Sequence, residues 1–162
     1  MSADEQTTAP RRPSVRLSRE EAWAMIEASH TGIFTTLRRD GVPIALPVWF
    51  VVIDATICMT TPGGSKKVLR VRHDGRSSFL VESGEKWAEL KAVHLTGRAE
   101  VVDDPGLVDR VAAASGVKYA GFRTASSTMP DATRKHYAAS SALIRFVPDE
   151  RTISWDNLRL FS

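Results

Sequence analysis

Chemistry in this sequence concentrates at one place, Gly63-Gly64-Ser65-Lys66-Lys67. Two glycines let backbone amides turn toward a common point, Ser65 offers a hydroxyl, and two ammonium groups stand beside them, which is the set a phosphate ester requires. The segment is not a Walker A loop, which needs GxxxxGKS or GxxxxGKT, so hydrolysis of a nucleoside triphosphate is not implied. Taken alone, it also reads as an exposed turn with two solvated lysines.

Other constellations are missing. His30, His73, His94 and His136 lie far apart, with no HxxxH or HExxH spacing to hold zinc. No GxSxG elbow is present, and the single cysteine, Cys58, sits between Ile57 and Met59 as a buried inert thiol would. Of the paired carboxylates, Asp103-Asp104 and Glu20-Glu21 each fall at a helix start, where they complement the helix dipole. Three tryptophans are of interest: Trp49 just before the phosphate-type loop, and Trp87 and Trp155 in later strands. Tryptophan in a barrel is usually core. Here, however, Pro47-Val48-Trp49 breaks a regular ladder and could present amides to a flat ring. The combination points to a planar phosphorylated cofactor between two subunits.

The elements that must position these groups are mostly strands. Ser18-Arg19-Glu20-Glu21 is a capping box, followed by Ala22, Met25 and Ile26 at helical spacing, which predicts a helix over 18–29. GIFTTL (32–37) and VPIALPVWFVVID (42–54) flank an Asp-Gly turn and predict a hairpin. Both alternating sets of the second strand are apolar, so its two faces both need cover. Strands are expected at 56–61, 77–83 and 87–102, with a short amphipathic helix or turn over 68–76. Asp104-Pro105 opens a helix that runs to Gly116, residues 117–137 form a loop with one short helix, and strands at 139–147 and 151–156 are split by Pro148-Asp149-Glu150. Six or seven strands joined by short turns, with two or three helices and no βαβ rhythm, predict a mainly β (α+β) domain whose antiparallel sheet closes into a barrel.

A length of 162 residues suits one domain over 16–162, with residues 1–15 expected as a mobile polar tail. Apolar residues make up 43% and charged residues 25%, the balance of a globular protein. Lys plus Arg exceeds Asp plus Glu by 22 − 19 = +3, spread along the chain, which fits a small anionic ligand better than nucleic acid. One cysteine excludes an internal disulfide. With no apolar leader and no stretch long enough to span a membrane, a cytoplasmic protein without a membrane partner is expected.

The segments GIFTTLRRDGVPIALPVWFVV, TTPGGSKKVLRVRHDGRSSFLV, LKAVHLTGRAEVV and ISWDNLRL, behind an N-terminal helix, resemble in order and spacing the pyridoxamine 5′-phosphate oxidase-like split-barrel superfamily. The likeness covers about residues 17–158 and is greatest to the actinobacterial branch of flavin- and deazaflavin-dependent oxidoreductases. It implies an FMN-binding split barrel, a homodimer with cofactor sites at the interface, and a small-molecule substrate. Pro47, Val48, Trp49, Thr60 and Thr61 would border the ring and ribityl chain, Ser65, Lys66 and Lys67 would hold the phosphate, and Trp87 and Trp155 would approach from the partner. The C-terminal Trp155–Leu160 stretch resembles the tail of the true pyridoxamine phosphate oxidases only in part, and their phosphate-gripping arginines have no match, which disfavours vitamin B6 oxidation. The lysine-based grip, with Arg70 and Arg72 nearby for an acidic tail, favours coenzyme F420 with FMN as the alternative. Two rivals remain at this level: a non-catalytic carrier of flavin, F420 or haem in the same cleft, and a nucleic-acid binder using Arg11, Arg12 and the arginines at 70–76.

Overall fold

The computed structural model describes residues 14–138 and 140–161, so residues 1–13, where most of the expected tail falls, lie outside the description. Within it, order begins before the first helix: the Asp156 amide donates to the Val15 carbonyl at 2.8 Å. Helix α1 (Arg19–Ala28) follows with the predicted capping box, as Ser18 Oγ accepts from the Glu21 amide and the Glu21 carboxylate accepts from the Ser18 amide. That reciprocal cap satisfies two helix-end donors.

Seven strands among the described residues form one antiparallel sheet: β1 (Thr31–Leu37), β2 (Pro43–Trp49), β3 (Val51–Ile53), β4 (Thr56–Pro62), β5 (Arg76–Ser83), β6 (Lys91–Val102) and β7 (Ser141–Asp156). Their order is β2-β1-β5-β6-β7-β4-β3. The two end strands, β2 and β3, are neighbours in the chain joined by Phe50 alone, so the sheet must curl until its ends meet at that residue. This is the expected split barrel. Its interior is apolar: Phe34, Phe50, Phe79, Phe146, Ile57 and Leu95 are all buried there, with Ile26 of α1 and Val68 closing the space from outside the sheet.

Helix α2 (Lys66–His73) carries Val68; α3 (Pro105–Lys118) covers the outer face of β3, β4 and β7 through Leu107 and Val111, packed on Val51, Cys58 and Leu143; α4 is Asp131–Ala138. Along β4, Ile57 and Met59 point into the barrel while Cys58 points to α3, the alternation a pleated strand imposes. Burial pushes the Cys58 thiol pKa up, in keeping with an inert core residue.

The structure corrects several expectations. The strand at 42–54 is two strands, broken at Phe50 where the chain passes from one end of the sheet to the other. Trp87 is not in a strand but in a single 3-10 turn, Trp87–Glu89, ahead of β6. The two last strands are one, because residues 149–151 are absorbed as a bulge: Leu95 faces Thr152, Gly97 faces Pro148, and the Thr96 hydroxyl donates to Asp149 across it at 2.8 Å. A proline beside such a bulge does not interrupt the ladder. Helix α3 continues through Gly116 to Lys118, and the described helices number four because 66–73 and 131–138 are both helical.

Candidate functional site

The phosphate-type loop turns out to be a strand end, a tight turn and a helix start. β4 ends at Pro62, the Ser65 amide donates to the Pro62 carbonyl at 3.0 Å, and Lys66 and Lys67 form the first turn of α2 rather than a loop. Gly63 does not aim its amide at a ligand. That N–H donates to the Ser140 carbonyl at 2.7 Å, and a Cβ on Gly63 would stand 2.9 Å from the same oxygen, so glycine is needed for the close approach. Ser65 is the N-cap of α2: its Oγ accepts from the Val68 amide at 3.4 Å and from the Thr61 hydroxyl at 3.4 Å. The amides of Lys66 and Lys67, at the start of the helix, have no intrahelical acceptor.

Helix α2 adds cations that the sequence reading placed only loosely. Arg70 Nε donates to the buried Thr36 hydroxyl of β1 at 2.7 Å, which fixes the guanidinium over the sheet. One cleft of about 540 Å³ is lined by Arg38, Arg39, Ile44, Lys66, Leu69 and Arg70. A second, about 480 Å³, shares Arg39, Leu69 and Arg70 and adds Arg72 and His73. Lys66, Lys67, Arg39, Arg70 and Arg72 take part in none of the ion pairs among the described residues. Lys67 is half-buried, and burial first, then the Arg70 charge, pulls its pKa below the ordinary lysine value. A group of cations outside the ion pairs among the described residues, with one member partly desolvated, has the charge to suit an anionic ester.

Lys67 gives the site a pH signature. Its folded pKa lies below the unfolded one, so between the two the unfolded chain holds more protons and stability of the free protein rises with pH. A bound phosphate reverses the preference and draws a proton onto the amine. Phosphate-ester affinity is therefore expected to fall as pH rises through the depressed Lys67 pKa, earlier than an unperturbed lysine at about 10.4 would allow. Calorimetric titration in two buffers of different ionisation enthalpy checks this, with proton uptake expected on the alkaline side.

The residues expected to border a ring lie on β2 and β4. Val48 is buried, Pro47 is exposed, and Trp49 is 45% exposed with its indole stacked on Tyr119 at 4.3 Å and 4°. Thr60 is exposed opposite Leu143 and Thr61 is buried opposite Ala142. A cavity of about 650 Å³ opens beside Trp49, walled by Phe122, Arg123, Thr124 and Met129 from the segment before α4.

Trp87 and Trp155 belong to another corner. Trp155 faces Ala92 across β6 and β7, Trp87 is 63% exposed, its carbonyl accepts from Asn157 Nδ2 at 2.6 Å, and its ring meets Phe161 edge-on at 6.3 Å. Ala92, which faces Trp155, is ten residues along β6 from Val102, which faces Leu143, the partner of Thr60, or roughly 33 Å at strand rise before curvature. One protomer does not bring these tryptophans to the cation cleft.

Tyr119, Phe122, Arg38 and Arg39 were missed by the sequence reading. Tyr119 lies past a helix whose predicted end was Gly116, and the arginines stand in a hairpin turn, where charge ordinarily signals only solvent. Among the described residues no cluster of His, Cys, Asp or Glu could hold a metal ion, and no helix is long and apolar enough to cross a membrane.

An antiparallel sheet closed through one linking residue, with a cationic helix start at its rim, defines a split β-barrel protein. The chain belongs to the pyridoxamine 5′-phosphate oxidase family, whose model matches residues 18–153. The conserved hypothetical protein Rv2991 of Mycobacterium tuberculosis is 30% identical with a TM-score of 0.77, over 96% of this chain and 94% of that one. An FAD-binding protein of Mesorhizobium loti has 18% identity and a TM-score of 0.64 over 85% and 93% of the two chains. A heme-binding protein of Mycobacterium smegmatis has 18% identity and a TM-score of 0.64 over 91% and 61%. No curated protein matches this chain.

Proposed function

We propose that this protein is a homodimeric, cofactor-dependent oxidoreductase that transfers hydride between coenzyme F420 and a small organic substrate, with FMN as the alternative cofactor. The observation that carries the reading is a group of cations in none of the ion pairs among the described residues: Lys66 and Lys67 at the start of α2, then Arg70 and Arg72 on the same helix and Arg39 from the β1–β2 turn, along adjoining clefts. A phosphate seats against the first lysines and helix amides, and the remaining arginines suit an acidic tail beyond it, which is why F420 is preferred.

In this reading the bound deazaflavin supplies the hydride chemistry, and the protein supplies position and field. Lys66 and Lys67 neutralise the ester. Thr60, Thr61 and the Pro47–Trp49 stretch flank the ring and its chain, and the cavity beside Trp49 admits the substrate with Arg123 on its wall. No side chain need act as acid or base, in keeping with the scattered histidines. The second copy of the chain supplies Trp87 and Trp155, which stand at the corner of the 3-10 turn and the far end of β7, away from the cleft of their own protomer. It also covers β2, where Leu46 on one face and Trp49 on the other are exposed in the protomer.

Titration of the purified protein with F420 and with FMN, read by fluorescence, tests the proposal. Saturable binding of either at micromolar concentration is expected, and no spectral change with both defeats it. A second reading, a non-catalytic carrier, is supported by the absence of any acid–base constellation and by likeness in fold to FAD- and heme-binding proteins. Tight binding without turnover by any electron donor or acceptor selects it.

A further inference from the structure

Phe50 is the residue at which the barrel changes ends, and it has no strand beside it. The β1–β2 ladder stops at Thr31 opposite Trp49, and the β3–β4 ladder starts at Val51 opposite Cys58. An extended residue turns its N–H and C=O to the same edge, and both must find partners when buried. At Phe50 one atom serves both. The Tyr119 hydroxyl accepts from the Phe50 amide at 2.8 Å and lies 2.7 Å from the Phe50 carbonyl, with the His30 carbonyl at 2.8 Å as a further acceptor for its single proton. Burial raises the Tyr119 pKa, so the hydroxyl keeps the proton it donates.

The ring of Tyr119 does a second thing. It is 1% exposed and lies parallel to the indole of Trp49, covering one face of it, while Trp49 also walls the cavity next to Phe122 and Arg123. Lys118, the neighbour of Tyr119, sits 3.9 Å above the Phe50 ring. The end of α3 thus holds Phe50 by its backbone and its ring, and Trp49 by its indole. Sequence position gives no hint of this, since Tyr119 is some 70 residues from the pair it touches.

We propose that Tyr119 is a positioning residue that sets the orientation of Trp49 at the boundary between the cofactor ring and the substrate cavity. The orientation itself follows from the observed contacts; its use for cofactor and substrate rests on the function proposed above. A merely structural tyrosine would fill space, and phenylalanine would replace it with little effect on Trp49. A positioning tyrosine needs the hydroxyl, because the hydroxyl fixes the Phe50 peptide from which Trp49 extends.

Near-UV circular dichroism of the protein without added cofactor separates the two. The chain has four tryptophans, so the wild-type spectrum minus that of Trp49→Phe isolates the Trp49 band. The same difference taken in a Tyr119→Phe background is expected to fall to less than half, with the far-UV spectrum unchanged. Affinity for F420 or FMN is expected to drop about tenfold, the loss that about 1.4 kcal/mol represents. A Trp49 band that survives Tyr119→Phe overturns the proposal. Should Tyr119→Phe not fold, the stack is read in the folded protein by fluorotyrosine: of two tyrosines, Tyr137→Phe leaves one 19F resonance, and Trp49→Phe must move it. An unmoved resonance overturns the proposal too. Neither optical nor 19F readout uses a cofactor, so failure of wild-type protein to bind F420 and FMN would defeat the proposed function while leaving the role of Tyr119 toward Trp49 separately decided.

Discussion

Replacing Lys66 and Lys67 together by alanine is expected to weaken binding of F420 or FMN by about 10²-fold or more. Hydrogen bonds to charged groups contribute about 1.5–3 kcal/mol each, and two of them correspond to roughly two to four decades of affinity. The lower figure applies here, because Lys66 is exposed and its attraction is screened by salt, while Lys67 is half-buried and retains more of its own. The fold should not suffer. Neither lysine joins an ion pair among the described residues, and alanine is the better helix former in the first turn of α2. Dissociation constants at low and high salt check the expectation: the wild type should weaken with salt more steeply than the double variant, which keeps Arg39, Arg70 and Arg72. Equal affinities for wild type and variant would remove the phosphate grip from the account.

Phe79→Ala should give the largest loss of stability, about 3–5 kcal/mol as for other fully buried phenylalanines, out of a total that is rarely above about 15. Phe79 is completely buried on β5, edge-on to Phe50 at 4.7 Å and tilted against Phe146 at 6.3 Å. Its ring also occupies the space that Gly32 leaves open: a Cβ there would stand 2.2 Å from the ring tip. Truncation leaves a hole next to a residue with no side chain to fill it, so the cavity persists and the upper part of the range applies. The urea midpoint should move strongly with an unchanged slope. A loss under about 1 kcal/mol would show that the site collapses freely, against the packing described.

How much of this was legible in the sequence follows from the range over which each signal acts. The capping box at Ser18, the Asp-Gly hairpin at 40–41 and the Asp104-Pro105 helix start are local, and the structure bears them out. The alternation of Val93, Leu95, Gly97 and Ala99 against Thr96, Arg98 and Glu100 was equally clear, because β6 has one buried face. Long-range features were not legible. The break at Phe50 depends on Tyr119, the merging of the last strands depends on Thr96 and Leu95 across the ladder, and neither leaves a mark within a few residues. At the candidate site, the residue types of Gly63–Lys67 suggested a loop, but the geometry differs, since the Gly63 amide is taken by Ser140 and the lysines begin a helix. Arg38 and Arg39 join Arg70 only because the β1–β2 hairpin folds back beside α2.

The order of strands in the sheet also differs from their order of synthesis. β7 comes after the other described strands in the chain, yet it lies between β6 and β4, with Phe146 opposite Ile57 some 90 residues earlier. Until Ser141–Asp156 has left the ribosome, β6 and β4 each present an open row of amides and carbonyls, a template for pairing between nascent chains. Contacts so distant in sequence also close slowly. The barrel therefore closes only when Ser141–Asp156 is free to pair, and a chain stopped before Ser141 is expected to aggregate rather than fold.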